Sequence, residues 1–179
     1  RGQKGTESEM EDGALAGADI VLLDTASVPL VPLSSELAGL ELSYRLVPQG
    51  RALDDPSSLS FVHAASNRAV RPLAPVHVQA ERGGSGITLS WIRQSRISAG
   101  SWEQVEVPLG ETSEAYEVDI LGPSDTVLRT LSTDAPSLLY SNAQETADFG
   151  GPVSELSVAI CQLSETAGRG FERKVTLDV

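Results

Sequence analysis

The sequence is poor in the residues that most often carry chemistry or recognition. It contains one cysteine, two histidines and only 4% aromatic residues in 179 positions. The single cysteine, Cys161, excludes an internal disulfide and fits folding in a reducing compartment. With so few rings, a core must be built mainly from Leu, Val, Ile and Ala, and a sugar-binding groove lined by several rings is hard to assemble.

Basic residues are also scarce. Lys and Arg together number 13 against 25 Asp and Glu, which gives a formal net charge of -12. Such a surface cannot neutralise phosphates, so nucleic-acid binding through the backbone is not expected, and an anionic bilayer would repel it. No apolar run approaches membrane-spanning length, so membrane insertion is not expected either. The chain begins at Arg1 rather than Met, which predicts a fragment of a longer protein.

The residues that are present predict an all-β protein. Hydrophobic residues make up 40% of the chain, which is enough for a core. Residues 73–179 hold seven short segments, several with strict alternation ("VHVQAER", "ITLSWIRQ", "AYEVDILG", "ELSVAICQLS"), broken by Gly, Pro, Asn and Asp. This pattern predicts a seven-stranded antiparallel β-sandwich.

Residues 1–72 predict a small β-rich segment that completes a preceding domain. "DIVLLD" (19–24) has the length of a strand, and "LELSYRLVP" alternates with Leu40, Leu42, Tyr44 and Leu46 on one face. "LSFVHAA" is a further short strand. The two prolines of "RPLAP" (71–75) predict a stiff, extended linker and a domain boundary.

The second part of the chain resembles a fibronectin type III domain. Pro75 opens the first strand, Trp91 ends the inward face of the second, and Tyr116-Glu117-Val118 matches the aromatic-x-Val at the start of the third. The sequence departs from the family at Leu156, where a tyrosine usually locks the corner before the sixth strand. The loop 93–115 is also long for this family.

Nearly the whole chain resembles the C-terminal end of the large tail-tip protein of gene transfer agents, which is related to phage host-specificity and baseplate proteins. The collinear motifs are "RGQKGTE", "VLLD…VPL", "YR", "DDPS", "RPLAPVHV", "LSWIR…SW" and "VPLGETSEAYEV". The resemblance implies synthesis in the bacterial cytoplasm and assembly into the tail of an extracellular particle. It also implies a glycoside-hydrolase-like barrel upstream, and nothing in this chain matches that barrel.

The sequence predicts no enzyme, no metal and no cofactor. His63 and His77 each stand alone in a strand, and neither lies near Cys161 in a metal-ligand spacing. "GGSG" (83–86) is interpreted as a turn because no helix follows Ser85. Asp54 and Asp55, before a proline, predict an exposed turn rather than an acid pair. "ESEMED" (7–12) lacks the glycine-centred loop of a calcium site and is interpreted as a solvated acidic arm.

The two tryptophans receive different interpretations. Trp91 shares its face with Ile87 and Leu89 and is predicted to be core rather than a ligand platform. Trp102 lies in the long loop beyond a polar stretch with Arg93 and Arg96. It could stack on a sugar, cap the edge of its own sandwich or dock on another subunit. We predict Trp102, Arg93 and Arg96 as the protein or glycan contact residues.

Two classes of function follow. The first is a structural and protein-interaction module of a phage-like tail tip, whose partners are other tail proteins and copies of itself, a trimer being one arrangement. The second is an adhesion module that binds a glycan or receptor on the host cell. An accessory domain of a hydrolase would require the missing upstream chain. The low aromatic content and the collinear resemblance favour the first class.

Overall fold

The computed structural model describes residues 13–20, 31–97 and 107–179, apart from the side chains of Ser35 and Asn67. The chain divides into two compact units, Arg1–Ala69 and Val70–Val179. The described residues contain ten strands and one α-helix: β1 (Glu41–Leu46), β2 (Leu59–Ala64), β3 (Val76–Gly83), β4 (Gly86–Ile92), β5 (Tyr116–Leu121), β6 (Val127–Thr133), β7 (Ser137–Ser141), α1 (Asn142–Phe149), β8 (Glu155–Ser164), β9 (Gly168–Arg169) and β10 (Arg173–Asp178).

The first unit contains one antiparallel hairpin in its described part. β1 pairs with β2, so that Leu42 faces His63, Tyr44 faces Phe61 and Leu46 faces Leu59. Both strands were predicted, and the alternation of β1 is confirmed at its half-buried positions Leu42 and Tyr44.

The predicted apolar face of β1 is otherwise exposed. Leu40 and Leu46 are 52% and 58% exposed, and every residue of β2 is exposed. The expectation of a half-buried face was therefore wrong at its two ends. A two-stranded sheet has too little surface to bury a full row of side chains on its own. Most of "DIVLLD", and all of "ESEMED" and Trp102, lie outside the described residues.

The second unit is the predicted β-sandwich. One sheet has the order β3-β4-β7, and the other has the order β10-β8-β5-β6 with the two-residue β9 beside β8. All the strand pairs are antiparallel. This strand order is that of a fibronectin type III domain, so the predicted fold class is confirmed, with the seven predicted strands as β3 to β8 and β10.

Alternation along the strands forms the core. The inward rows supply ten buried side chains: Ile87, Leu89, Trp91, Tyr116, Val118, Ile120, Tyr140, Leu156, Val158 and Ile160. Trp91 is 4% exposed and meets the ring of Tyr116 edge-on, with centroids 5.2 Å apart. The prediction that Trp91 is a core residue is confirmed.

The proline-rich segment 71–75 is fixed to the second unit. Arg71 Nε and Nη2 donate to the carbonyl oxygens of Arg169 and Gly170 at 3.0 and 2.6 Å, and its guanidinium lies 4.7 Å from the centroid of the Phe171 ring. The amide of Phe171 donates to the carbonyl of Pro72 at 2.9 Å. The segment has no regular secondary structure, but it packs against the sandwich and is not a free spacer.

The sequence did not predict α1. Eight residues are too few to show a helical period, yet the end signals are present. Ser141 and Gln144 form a capping box, and Gly150 ends the helix with φ 81°, the left-handed region that favours glycine. In the described residues, no helix is both long enough and apolar enough to span a membrane.

Candidate functional site

The connection between β4 and β5 runs from Arg93 to Ala115, which are the bounds that the sequence predicts for the long loop. The structure describes its two ends, residues 93–97 and 107–115, while 98–106 lie outside the described residues together with Trp102. We call these two ends the loop stem. It contains Arg93 and Arg96, the two described residues of the predicted contact site.

Arg93 cross-links the two sides of the loop stem. Its Nη2 donates to the carbonyl of Val107 at 2.7 Å, and its Nη1 donates to that of Pro108 at 3.3 Å. Its Nε lies 3.9 Å from Oε1 of Glu114. Because backbone carbonyls from the far side of the loop accept these bonds, Arg93 fixes the width of the loop at its base.

Arg96 makes a second cross-link. Its Nη2 lies 2.7 Å from Oε1 of Glu111, and that carboxylate is only 8% exposed. Ser95 is buried, and its Oγ accepts a bond from the amide of Ile97 at 3.1 Å. Gly110, with φ 78°, lies opposite, and a Cβ on it would come within 3.3 Å of the Ile97 side chain. A glycine there lets the two sides of the loop stem approach.

Polar contacts connect the loop stem to the core. The hydroxyl of Tyr116 donates to Oε1 of Glu114 at 2.6 Å, and its ring packs on Trp91. Burial, followed by the nearby Glu114 carboxylate, raises the pKa of Tyr116 well above its usual value. The same Glu114 oxygen faces Arg93. The loop stem is therefore anchored to the sandwich through a neutral tyrosine.

A second charged cluster lies on the outer face of the β10-β8-β5-β6 sheet. Arg169 forms ion pairs with Asp119, with Glu117 at 3.2 Å and with Glu172 at 3.3 Å. Asp119, which is 5% exposed, also accepts a bond from Thr130 Oγ1 at 2.6 Å. Sequence reasoning missed this cluster because Asp119 and Arg169 are 50 positions apart, and no local motif links them.

Cys161 lies on that outer face. It follows the inward residue Ile160 in β8, so its side chain is turned away from the core between the sheets, and it is fully buried there. Burial raises the pKa of its thiol, and the nearby Arg169 guanidinium opposes that shift. A thiol held in its protonated form is a poor nucleophile. The residue acts as a small apolar filler of the sheet.

The other polar residues that the sequence singled out form turns or lie on the surface. Asp55 accepts bonds from the amide and the hydroxyl of Ser57 at 2.9 and 2.5 Å, so the predicted turn is confirmed. "GGSG" is the turn of the β3–β4 hairpin, as expected. His63 and His77 are both exposed. His77 has φ 53° at a β-bulge in β3.

No grouping of three His, Cys, Asp or Glu side chains that could hold a metal occurs within residues 13–20, 31–97 and 107–179. The charged side chains of the loop stem instead form ion pairs with one another, Arg93 with Glu114 and Arg96 with Glu111. Its acidic and basic groups neutralise one another in pairs and hold a long loop at one end of a rigid sandwich. This arrangement is suited to presenting a contact surface.

No protein family matches the sequence, and no curated protein matches it. Sixteen chains of solved structures match the fold. One of them is the rat CD45 extracellular region, domains d3–d4, with 10% sequence identity, coverage of 93% of this chain and 83% of that chain, and a TM-score of 0.41. The fold assignment rests on the strand order and register of the chain itself.

Proposed function

We propose that this chain is a structural and protein-interaction module of a phage-like tail tip, of the gene transfer agent type, and that its long loop makes the protein contact. The collinear sequence motifs support the tail-tip assignment. The sandwich supports an architectural role, because a rigid body with loops at its ends can act as a spacer that projects a contact surface. Its partners would be other tail or baseplate proteins and further copies of the chain.

The observation that carries the proposal is the loop stem. Arg93 and Arg96 cross-link its two sides, and Glu114 ties it to Tyr116 in the core. A loop whose ends are already ordered loses less conformational entropy when it binds. Since both arginines are engaged within the loop stem, we assign them the role of positioning the loop and assign the contact itself to Trp102.

The assembly pathway in this proposal follows from the resemblance. The protein is made in the bacterial cytoplasm and becomes part of the tail of a particle that acts outside the cell. A role in attachment to the host cell is compatible with a position at the tail tip. The net charge of -12 argues that the contact is with protein rather than with nucleic acid or an anionic membrane.

The test is a Trp102→Ala substitution in cells that produce the particle, with the amount of the protein in purified particles measured by immunoblot. Removing a docked tryptophan should weaken association by about 2 kcal/mol or more, roughly thirty-fold. The unfolding free energy should change by less than about 1 kcal/mol, because in this proposal Trp102 contacts a partner rather than its own core. Leu139→Ala, which shortens a half-exposed apolar side chain of β7, is the matched control.

Two other results would count against the proposal. If Trp102→Ala lowers the unfolding free energy while the folded protein assembles normally, the residue caps its own domain. If the protein shows saturable binding on a glycan array, and Trp102→Ala abolishes it without altering assembly, the chain is an adhesion module.

A further inference from the structure

The helix α1 lies at the end of β4 opposite to the loop stem, since Gly86 at the start of β4 pairs with Ser141. Its capping box and its glycine C-cap define where it starts and stops. An eight-residue helix is not stable by itself in water, because nucleation outweighs the few bonds it makes. Tertiary contacts must therefore hold α1 in place.

One side chain of α1 binds the β3-β4-β7 sheet. Glu145, which is 1% exposed, accepts two bonds from Arg82 of β3, at 2.7 Å from Nη2 and 3.1 Å from Nη1. The amide of Val153, beyond the helix, donates to Glu145 Oε1 at 2.8 Å. Arg82 Nη2 in turn donates to the Val153 carbonyl at 2.7 Å. This pair fixes the helix and the chain that follows it.

A second side chain of α1 binds the other sheet. Asp148 accepts bonds from Arg129 of β6, at 2.7 Å from Nε and 2.8 Å from Nη2. The hydroxyl of Tyr140, in β7, donates to the same carboxylate at 2.8 Å. Glu145 and Asp148 are three positions apart in α1, so one turn of helix carries a bidentate pair to each sheet.

The helix also covers apolar side chains. Phe149 at its end and Val153 just beyond it pack against the buried core. The family resemblance implies a tyrosine lock in this connection, and Leu156 stands at that position as a buried core residue without a polar atom. Leu156 therefore supplies no polar lock, and the ion pairs described for this connection are those of Glu145 and Asp148.

We propose that α1 is an ionic strap: it closes this end of the sandwich by one arginine–carboxylate pair to each sheet, and it opens as a unit without unfolding of the sheets. Opening would uncover Phe149 and Val153. The inference stands apart from the proposed function, because it concerns the opposite end of the domain and needs no partner.

The charges that face the strap are Arg82 from β3 and Arg129 from β6, and Tyr140 faces it from β7. Hydrogen bonds from Arg82 hold the pKa of Glu145 below its ordinary value, and those from Arg129 do the same for Asp148. A depressed folded pKa stabilises the closed strap above the ordinary carboxyl range near about 4, and this stabilisation is lost as pH falls through the depressed values. We therefore expect the strap to be closed at neutral pH and to open in acid.

Amide hydrogen exchange on the full 179-residue protein tests the strap. In the unaltered protein, the amides of Phe149 and Gly150 should exchange together, at least about tenfold faster than those of Val118 and Ile160 in the sheets, because local opening precedes global unfolding. Their exchange should depend weakly on added urea, while that of the sheet amides should depend on it strongly, since only global unfolding exposes a large surface.

In each of the variants Glu145→Gln and Asp148→Asn, the exchange of the Phe149 and Gly150 amides should become about tenfold faster or more. Within one variant the two amides should be accelerated by the same factor, because the helix opens as a unit. Glu155→Gln, at an exposed acidic position, is the matched control and should leave them unchanged. If either variant fails to fold, Arg82→Lys and Arg129→Lys keep the charge but lose the two-pronged geometry, and each should give a smaller common increase. The strap is refuted if the helix amides exchange only with the sheets, or if each substitution affects only its own neighbours.

Discussion

The structure describes an aromatic pair in each unit, and the two pairs differ in their surroundings more than in their spacing. In the sandwich, Trp91 and Tyr116 have centroids 5.2 Å apart and are almost completely buried. In the hairpin, Tyr44 and Phe61 stack at 5.3 Å, but Phe61 is 45% exposed. The two pairs therefore contribute differently to the free energy of unfolding, because burial rather than ring–ring contact supplies most of the stabilisation.

The reason lies in the number of layers. The sandwich places two sheets face to face, so each inward row is covered by another inward row. The described part of the first unit offers a two-stranded sheet, which is marginal in water. We therefore expect the sandwich to unfold cooperatively and the hairpin to contribute little to that transition.

The largest expected effect comes from Trp91→Ala, which should lower the unfolding free energy of the sandwich by about 3–5 kcal/mol through lost burial and a new cavity. Urea denaturation followed by circular dichroism measures it. Ile92→Ala is the control, because Ile92 is the next residue of the same strand and is 57% exposed. A loss below about 1 kcal/mol for Trp91→Ala would remove the basis of the comparison.

The second largest effect should come from alkaline pH, which should lower the unfolding free energy of the sandwich. Burial raises the pKa of Tyr116 and of Tyr140 above the ordinary value near about 10, so both stabilise the fold fully below that pH. The stability is then lost as pH rises towards their folded pKa values, by about 1.4 kcal/mol per pH unit for each tyrosine. Urea unfolding at pH 8 and above pH 10, with the absorbance at 295 nm, tests this. Tyr116→Phe should weaken the dependence of the unfolding free energy on pH. Ionisation of both phenols in the folded protein near about pH 10 would contradict the prediction.

Gly150→Ala should have an intermediate effect. Gly150 has φ 81° and open space around it, so a Cβ meets no neighbour and the cost is that of the left-handed backbone alone. We expect a loss of about 1–2 kcal/mol in the unfolding free energy. Gly151→Ala, next in the chain with equally open space and no left-handed φ, is the matched control and should cost less. Equal losses for the two would show that the backbone angle is not the cause.

Phe61→Ala should have the smallest effect on the sandwich, within about 0.5 kcal/mol, as for exposed positions generally. It should instead reduce the protection of the β1 and β2 amides in hydrogen exchange, because it removes the ring that stacks on Tyr44. A loss in the main unfolding transition as large as that of Trp91→Ala would mean that the hairpin belongs to the same cooperative unit.

Local pattern was enough to predict much of this structure. Period-two alternation placed Trp91 inward with Ile87 and Leu89. Turn residues separated the strands of the sandwich. The helix α1 carried a readable signal in Ser141, Gln144 and Gly150, but a helical period needs more than eight residues to appear.

The sequence by itself determined the strands of the sandwich, their inward rows and the fold class, because these depend on side-chain alternation and turn chemistry within a few residues. Only the tertiary structure decided how the charges are used. Arg82 meets Glu145 across 63 positions, and Asp119 meets Arg169 across 50. Nothing local distinguishes these arginines from solvated ones, since an ion pair depends on which helices and strands the fold brings together. The same holds for Arg93 and Arg96, whose partners are known only once the two ends of the loop stem lie side by side.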